Sequence, residues 1–327
     1  MSDAVPIPFD QFMEQALYGP EGFYMRVDGG SAGRRGDFLT SPEVGPLFGT
    51  VLATYLDSEW ERLGHPDPFT VVDAGAGPGT LARSILAAAP ACLDSMRYIT
   101  VEVSEAQRER HPDGVESRSD LPDGPIEGVI IANELLDNLP FRLAVFDGAW
   151  REAFVDTNGE RLSAPFEHVP AVLPGNAPHG ARAPLTDRAA DWIDRARSIV
   201  GRGSVVVIDY GVPRTSELAL RPWRDWLRTY RGNERGDHYL HAPRTQDITT
   251  DLCFDQLPEA DALRTQAQFL QLHGITDRVE EGRRHWEQHA ARPDLEAMRM
   301  RSRISEAEAL LDPDGLGGFL VAEYRSG

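Results

Sequence analysis

Short, strongly apolar segments alternate with segments of helical periodicity over the central part of the chain. Strongly apolar strands are predicted in FTVVDAG, RYITVEV, EGVIIANE, FRLAVFD and SVVVIDYG, and helical spacing is found in PGTLARSILAAA, SEAQRER and TDRAADWIDRARSIV. Strands that are apolar on both faces are typical of a parallel sheet covered by helices. Strand–helix alternation implies right-handed crossovers. The pattern therefore predicts an α/β fold with a doubly wound sheet.

The pattern divides the chain into four segments. Residues 1–68 are predicted to form a helical N-terminal and lid segment, and residues 69–211 the α/β core. Residues 212–315 break the alternation and are predicted to be a mainly helical insertion on the substrate side. Residues 316–327 include the run GGFLVAEY, which predicts a final core strand paired antiparallel at the edge or centre of the sheet.

Helix signals mark the N-terminal segment and the insertion. A helix is predicted from about residue 42 to 63. Ser41 is its expected N-cap, Pro42 suits its first position, and Glu43 suits the positive end of its dipole. Further helices are predicted near residues 258–273, 277–290 and 294–311.

Charge and cysteine content narrow the classes of function. The chain has 33 basic and 52 acidic residues, a net charge of −19. It therefore lacks the surplus of cations that non-specific binding to nucleic acid or to an anionic membrane requires. Cys92 and Cys253 match no zinc spacing, so neither a metal site nor a disulfide framework is expected. No signal-peptide pattern and no apolar run of about 18 residues is found, and a cytoplasmic protein is expected.

The first candidate site is the turn DAGAGPGT, residues 73–80, between a strand and a helix. In open α/β sheets, ligands bind outside the carboxyl ends of the strands, and glycines allow close approach of the backbone. The spacing Gly75-x-Gly77-x-Gly79 fits neither the G-x-G-x-x-G of dinucleotide sites nor a P-loop. It favours a nucleoside ligand without a pyrophosphate.

Acidic and amide side chains follow the next strands. Glu102, at the end of ITVEV, is placed to accept hydrogen bonds from both ribose hydroxyls of a nucleoside. Asn133, Glu134 and Asp137 follow the strand that ends in IIAN, at the same edge of the sheet. Two carboxylates there suit a planar cation such as a guanidinium. Alternatively, Asn133 or the backbone only holds part of a cofactor.

The segment GDFLTSPEVGPLFG, residues 36–49, leads from a Gly-rich stretch into a predicted helix. Backbone N–H groups and hydroxyls at such a position can bind an anion. Because the segment precedes the sheet, it is a candidate lid over the cleft. Simple capping by Ser41 and Glu43 is the alternative.

His285 and His289 are predicted to lie on a solvated helix face rather than to bind a metal.

Six segments resemble, in their order, those of the MidA-like methyltransferases. They are GDFLTSPEVGPLFG, DAGAGPGTLA, VEVS, ANELLDNLPFR, IDYG and TQAQFL, and the resemblance spans roughly residues 12–275. That family includes the mitochondrial complex I assembly factor that methylates arginine. The resemblance implies the Rossmann-like, seven-stranded sheet of class I methyltransferases, with S-adenosyl-L-methionine as the cofactor.

The resemblance and the chemistry of methyl transfer together indicate a set of site residues. For a guanidinium acceptor, Glu134 or Asp137 is the candidate catalytic group, which orients the nitrogen and accepts its proton. Asp73 stands where the family usually has Glu. The cofactor-binding candidates are Gly36, Asp37, Thr40, Ser41, Pro42, Glu43, Asp73, Gly75, Gly77, Gly79, Glu102, Asp120 and Asn133, with Asp120 placed near the adenine and Asn133 near the methionine part.

The leading hypothesis is an S-adenosyl-L-methionine-dependent methyltransferase that acts on a protein or peptide side chain, by resemblance an arginine nitrogen. One alternative keeps the cofactor and methylates a small molecule or a modified peptide, because residues 212–247 follow the family pattern only loosely. A second alternative is a non-catalytic assembly factor that retains the fold. A third is a nicotinamide-dependent oxidoreductase, against which the glycine spacing counts.

Overall fold

The computed structural model describes residues 5–26, 40–231 and 234–327. The α-helices in these ranges are α1 (Phe9–Leu17), α2 (Ser41–Val44), α3 (Pro46–Arg62), α4 (Thr80–Ala87), α5 (Glu105–Arg108), α6 (Asp187–Ile199), α7 (Thr215–Ala219), α8 (Gln266–Leu272), α9 (Ile275–His289) and α10 (Leu295–Leu311). The strands are β1 (Ile7–Pro8), β2 (Phe69–Ala74), β3 (Met96–Val101), β4 (Glu116–Arg118), β5 (Ile126–Asn133), β6 (Arg142–Phe146), β7 (Trp150–Asp156), β8 (Gly159–Pro165), β9 (Arg182–Leu185), β10 (Val200–Asp209), β11 (Gly211–Val212), β12 (Leu227–Arg231), β13 (Glu234–Arg235), β14 (Asp247–Thr250), β15 (Leu252–Cys253), β16 (Ala262–Thr265) and β17 (Leu320–Ser326). In these ranges, no helix is both long enough and apolar enough to cross a bilayer.

Seven strands form the central sheet, in the order β16-β17-β10-β5-β2-β3-β4. β10, β5, β2, β3 and β4 are parallel, whereas β17 lies between β10 and β16 and is antiparallel to both. The predicted seven-stranded α/β fold is therefore confirmed, and the final strand lies inside the sheet.

The central sheet is buried on both faces by alternate side chains of the same strands. On β5, Val129 and Ile131 pack on one face, with α3, α4, α8 and α10, whereas Ile130 packs on the other face, with α6. This two-sided burial explains why these strands appear in the sequence as continuous apolar runs.

The strand predicted in FRLAVFD belongs to a different sheet. It is β6, which pairs antiparallel with β7 and β9, and β1 and β8 pair with β7. Phe9, Met13 and Leu17 of α1 pack against Phe141 and Leu143 at this second sheet. This packing fixes the end of α1 beside the carboxyl edge of the central sheet.

The prediction of a single helix over residues 42–63 is wrong, because the helix is interrupted at Gly45, between α2 and α3. The backbone of Gly45 is extended, and Glu306 of α10 fills the space beside it. The carboxylate of Glu306 accepts a hydrogen bond of 2.9 Å from the N–H of Leu47, at the start of α3. Ser41 is the first residue of α2 rather than its N-cap, which is Thr40.

The insertion is mainly helical only in its second half, although the short helix α7 lies in its first half. Its first half forms short strands, of which β12 pairs with β13 and β14, and β11 pairs with β15. Residues 262–265, predicted to be helical, form β16 at the edge of the central sheet. Helices near the other two predicted positions are confirmed as α9 and α10.

Candidate active site

A cavity of about 290 Å³ opens at the carboxyl edge of the central sheet. Its walls come from the ends of β2, β3 and β5 and from the segment after β4. Residues between α1 and β2, and residues of α6, complete them. The predicted site residues that line it are Thr40, Pro42, Glu43, Asp73, Gly75, Gly77, Glu102, Asp120, Asn133 and Glu134.

The other predicted residues lie elsewhere. Ser41 and Asp137 are buried just behind the wall, and Gly79 is the N-cap of α4 and does not line the cavity. Gly36 and Asp37 are outside the described residues.

The glycine turn presents its backbone to the cavity. The N–H of Gly77 donates a hydrogen bond of 3.0 Å to Glu102 Oε2, and Nε2 of His111 lies 2.9 Å from the carbonyl oxygen of Gly77. Gly77 has φ of +51°, and a Cβ added there would meet no atom within 4 Å. The turn therefore leaves open space that a ligand can occupy.

Glu102 is held by backbone donors on both oxygens. Oε2 accepts from Gly77, and Oε1 accepts a bond of 2.9 Å from the N–H of Ser104. Burial raises the pKa of Glu102, and these N–H groups oppose the rise. Each carboxylate oxygen has a second lone pair, so the side chain can also accept ligand hydroxyls.

Glu134 follows β5 in a left-handed conformation, with φ of +50°, that side chains rarely adopt. Its N–H donates a bond of 2.8 Å to the carbonyl oxygen of Ile208. Its Oε1 accepts bonds from the N–H of Ser41 at 3.0 Å and from Asn133 Nδ2 at 3.2 Å. Burial raises the pKa of Glu134 to about 8, against the Ser41 bond, and Asp137 adds to the rise. A carboxyl group with such a pKa is suited to proton transfer near neutral pH.

Two further polar groups in the wall can bind a polar ligand. Asn133 Oδ1 is buried and has no hydrogen-bond partner within the described part of the chain. Burial raises the pKa of Asp73 to about 7, although the Tyr98 hydroxyl donates to its Oδ2 at 3.4 Å. A cationic or N–H-bearing ligand would satisfy the first group and stabilise the charged form of the second.

The charge of the lining favours a cation. Among the described residues, one cationic side chain, that of Arg195, reaches the cavity. The acidic lining residues are Glu43, Asp73, Glu102, Asp120 and Glu134. Such a wall attracts a positively charged ligand and disfavours a pyrophosphate.

Asp137 takes part in a buried network instead of facing the cavity. Its Oδ2 accepts a hydrogen bond of 2.5 Å from Thr249 Oγ1 and one from the Tyr210 hydroxyl. Asp209 lies next to it and accepts from the N–H of Leu136 at 3.0 Å. Asp137 does not line the cavity, and its Oδ2 is held by these two hydroxyls, so the geometry favours a supporting position for it; its buried Oδ1 has no hydrogen-bond partner among the described residues.

Aromatic and amide residues missed by the sequence reasoning close another side of the cavity. Tyr18 and Tyr24 line it, with their rings stacked at a centroid distance of 5.5 Å. Tyr18 donates to the carbonyl oxygen of Asn138 at 3.1 Å, and Tyr24 donates to Asp247 Oδ1 at 2.9 Å. Asn138 Nδ2 also donates to Asp247 Oδ1, at 3.1 Å. Asn138 lies in the segment ANELLDNLPFR, but only the fold brings the tyrosines to it.

The chain matches a family model described as "Putative S-adenosyl-L-methionine-dependent methyltransferase" over residues 51–275. It is 32% identical over 297 residues to the protein arginine methyltransferase NDUFAF7 homolog, mitochondrial, of Drosophila melanogaster, which covers 76% of this chain. It is 28% identical to the NDUFAF7 protein of Mus musculus, which covers 77% of this chain. The chain spans 64% and 65% of the lengths of these two relatives.

A solved structure is similar along nearly the whole chain. It is that of a Burkholderia thailandensis protein bound to S-adenosyl-homocysteine, with a TM-score of 0.80 and 26% sequence identity. The match covers 98% of this chain and 88% of that protein. A second structure of a Burkholderia thailandensis protein gives a TM-score of 0.77 at 25% identity.

Proposed function

The chain belongs to this family of S-adenosyl-L-methionine-dependent methyltransferases, and on that premise we propose that it methylates a nitrogen of an arginine side chain in a protein. The observation that carries the proposal is the acidic cavity at the carboxyl edge of the sheet, into which the Gly77 turn, Glu102 and Glu134 converge. S-adenosyl-L-methionine, when bound, supplies a methyl group on a positively charged sulfur.

The cavity residues fit this cofactor. Glu102 has acceptor capacity for the ribose hydroxyls, and the open space at Gly77 leaves room for the nucleoside. The unpartnered Asn133 Oδ1 and the carboxyl group of Asp73 suit an ammonium group. Asp120 and Leu121 line the part of the cavity that follows β4, and we assign them to the adenine. Thr40, Pro42 and Glu43 cover the cavity from α2, with Thr80 donating to Glu43 Oε1 at 2.5 Å.

Glu134 is the proposed catalytic residue. Its carboxylate is positioned by Ser41 and Asn133, so it can hold an N–H of the acceptor and take up the proton that the nitrogen loses on methylation. A guanidinium at this position would lower the pKa of Glu134 and favour its charged form. The negative charge of Asp137 raises the pKa of Glu134 and so makes it a stronger base. Hydrogen bonds from Tyr210 and Thr249 hold Asp137 in place.

The acceptor class has two supports. Two stacked tyrosines beside buried carboxyl groups suit a planar cation, because a guanidinium stacks on aromatic rings and pairs with carboxylates. The relatives from Drosophila and mouse carry the name protein arginine methyltransferase, and they are named as mitochondrial proteins. The cytoplasmic location expected for this chain stays a prediction.

Two measurements test the proposal. Calorimetric titration with S-adenosyl-L-methionine, S-adenosyl-homocysteine and NAD should give binding of the first two, tighter for the cationic cofactor, and none of NAD. Tritiated S-adenosyl-L-methionine is then added to a lysate with the wild-type protein, and the labelled proteins are hydrolysed to amino acids. Label in methylarginine is expected.

The matched variants are Glu134→Gln and Glu127→Gln. Glu127 lies at the opposite end of the same strand and pairs with Arg202 on the surface. We expect Glu134→Gln to lower the labelling rate about 100-fold or more, as is usual for loss of acid–base catalysis, and Glu127→Gln to leave it unchanged. Binding of NAD alone would overturn the methyltransferase assignment, and label in another amino acid would overturn the arginine assignment.

A further inference from the structure

Glu134, Ser41 and Gln266, which are far apart in the sequence, are joined by hydrogen bonds that run from the cavity wall into the core. The N–H of Ser41 donates to Glu134 Oε1 at 3.0 Å. The hydroxyl of the same serine donates to Gln266 Oε1, also at 3.0 Å. Gln266 Nε2 lies 3.4 Å from the carbonyl oxygen of Leu310 in α10. Ser41 and Gln266 both have 0% exposure, so water cannot replace these bonds.

Gln266 is anchored independently of the cavity. It is the first residue of α8, and its N–H donates to the carbonyl oxygen of Phe319 at 2.7 Å, just before β17. Thr265 and Gln268 form a capping box that fixes the start of the same helix. The side chain of Gln266 therefore projects from a rigid part of the fold.

The donor that reaches Glu134 has no substitute in its turn. Pro42 has no N–H, and the N–H of Glu43 donates to the carbonyl oxygen of Thr40 at 2.9 Å. Only the N–H of Ser41 among these three is available to the Glu134 carboxylate. The position of Ser41 therefore decides whether this carboxylate keeps its strongest neutral donor.

We propose that Gln266 is a positioning residue that holds Ser41 in place, so that the segment covering the cavity is joined to the catalytic carboxylate. The inference rests on the proposed function only for the catalytic role of Glu134. Through this chain of hydrogen bonds, α8 and α10 help to fix the position of the Glu134 carboxylate in the cavity wall. The other titratable groups that face Glu134 are Asp137 and Asp209, which remain unchanged in the variants below.

The test is a carboxyl-carbon NMR titration of the full chain labelled with ¹³C in glutamate, without cofactor or acceptor. The Glu134 signal is assigned by its loss in Glu134→Gln. Gln266→Met keeps the length and apolar contacts of the side chain but removes its hydrogen bonds. We expect it to raise the pKa of Glu134 by about one unit, because the carboxylate loses the N–H that favours its charged form.

Two further variants complete the design. Ser41→Ala keeps the backbone N–H and removes the hydroxyl bond to Gln266, and it should raise the same pKa. Gln268→Ala is the matched control, because it weakens the capping box of the same helix without touching Ser41, and it should leave the pKa unchanged. A Glu134 pKa that stays at the wild-type value in Ser41→Ala or Gln266→Met would overturn the inference, as would an equal rise in Gln268→Ala.

The titration separates this inference from the proposed function, because it needs no methyl transfer. A wild-type protein that transfers no methyl group would refute the function and leave the measured role of Gln266 standing. In the active enzyme, Gln266→Met should lower kcat and move the acidic limb of its pH profile upward. The KM for S-adenosyl-L-methionine should stay close to its wild-type value.

Discussion

Replacing Glu102 by alanine should weaken cofactor binding much more than it weakens the fold. The side chain holds Gly77 and Ser104 at 3.0 and 2.9 Å, and its remaining lone pairs face the cavity. Each hydrogen bond from a ligand hydroxyl to a carboxylate contributes about 1.5 kcal/mol or more. Two such bonds to the ribose amount to about 3 kcal/mol, which corresponds to roughly a 100-fold rise in Kd.

Calorimetric titration of Glu102→Ala with S-adenosyl-L-methionine measures this loss, and urea unfolding without ligand measures stability. The freed N–H groups border the cavity, so water can reach them, and stability should fall by less than about 1 kcal/mol. Glu109→Ala is the control, because Glu109 is an exposed acid close to Glu102 in the sequence that does not line the cavity. A Glu102→Ala variant that binds the cofactor within about threefold of wild type would refute the ribose assignment.

Two other perturbations test the packing and the buried acids. Gly45→Ala would place a Cβ 2.3 Å from the Glu306 carboxyl carbon and should lower the free energy of unfolding by about 2 kcal/mol; in the same urea experiment Gly175→Ala, which meets no atom within 4 Å, should change it by less than about 0.5 kcal/mol. Because burial raises the pKa values of Asp73 and Glu134 to about 7 and 8, the folded state binds more protons than the unfolded state between about pH 4 and 8. The free energy of unfolding without ligand should therefore fall as pH rises through that range, by at most about 1.4 kcal/mol per pH unit for each group. Urea unfolding at pH 5 and pH 8 should show a smaller fall in Glu134→Gln than in the wild type. An equal fall in that variant would contradict the raised pKa of Glu134.

The central sheet could be predicted because its strands are buried on both faces. Runs such as VVVI before Asp209 cannot be explained by a half-exposed strand, and the polar residues that end them mark one edge. This places Gly77, Glu102, Asn133 and Glu134 together without any knowledge of tertiary contacts. The structure brings all four to one cavity.

What the sequence could not predict depends on contacts between distant residues. The helix break at Gly45 needs the carboxylate of Glu306, which is contributed by α10. Tyr18 reaches the cavity only because α1 packs on the second sheet, and that sheet could not be separated from the central one by its apolar pattern. Asp137 is one turn away from Glu134 in the sequence, but Tyr210 and Thr249 keep it behind the wall.

The position of β17 bears on how the protein is made. During synthesis, β10 is complete at residue 209, but the strand that pairs with it in seven positions begins at residue 320. The 110 residues between them, 210–319, take on the order of ten seconds to translate. Throughout that interval, Val205–Ile208 form an apolar edge with unpaired backbone groups, a surface prone to association with other chains. We therefore expect chaperone binding to nascent chains to persist until β17 emerges from the ribosome.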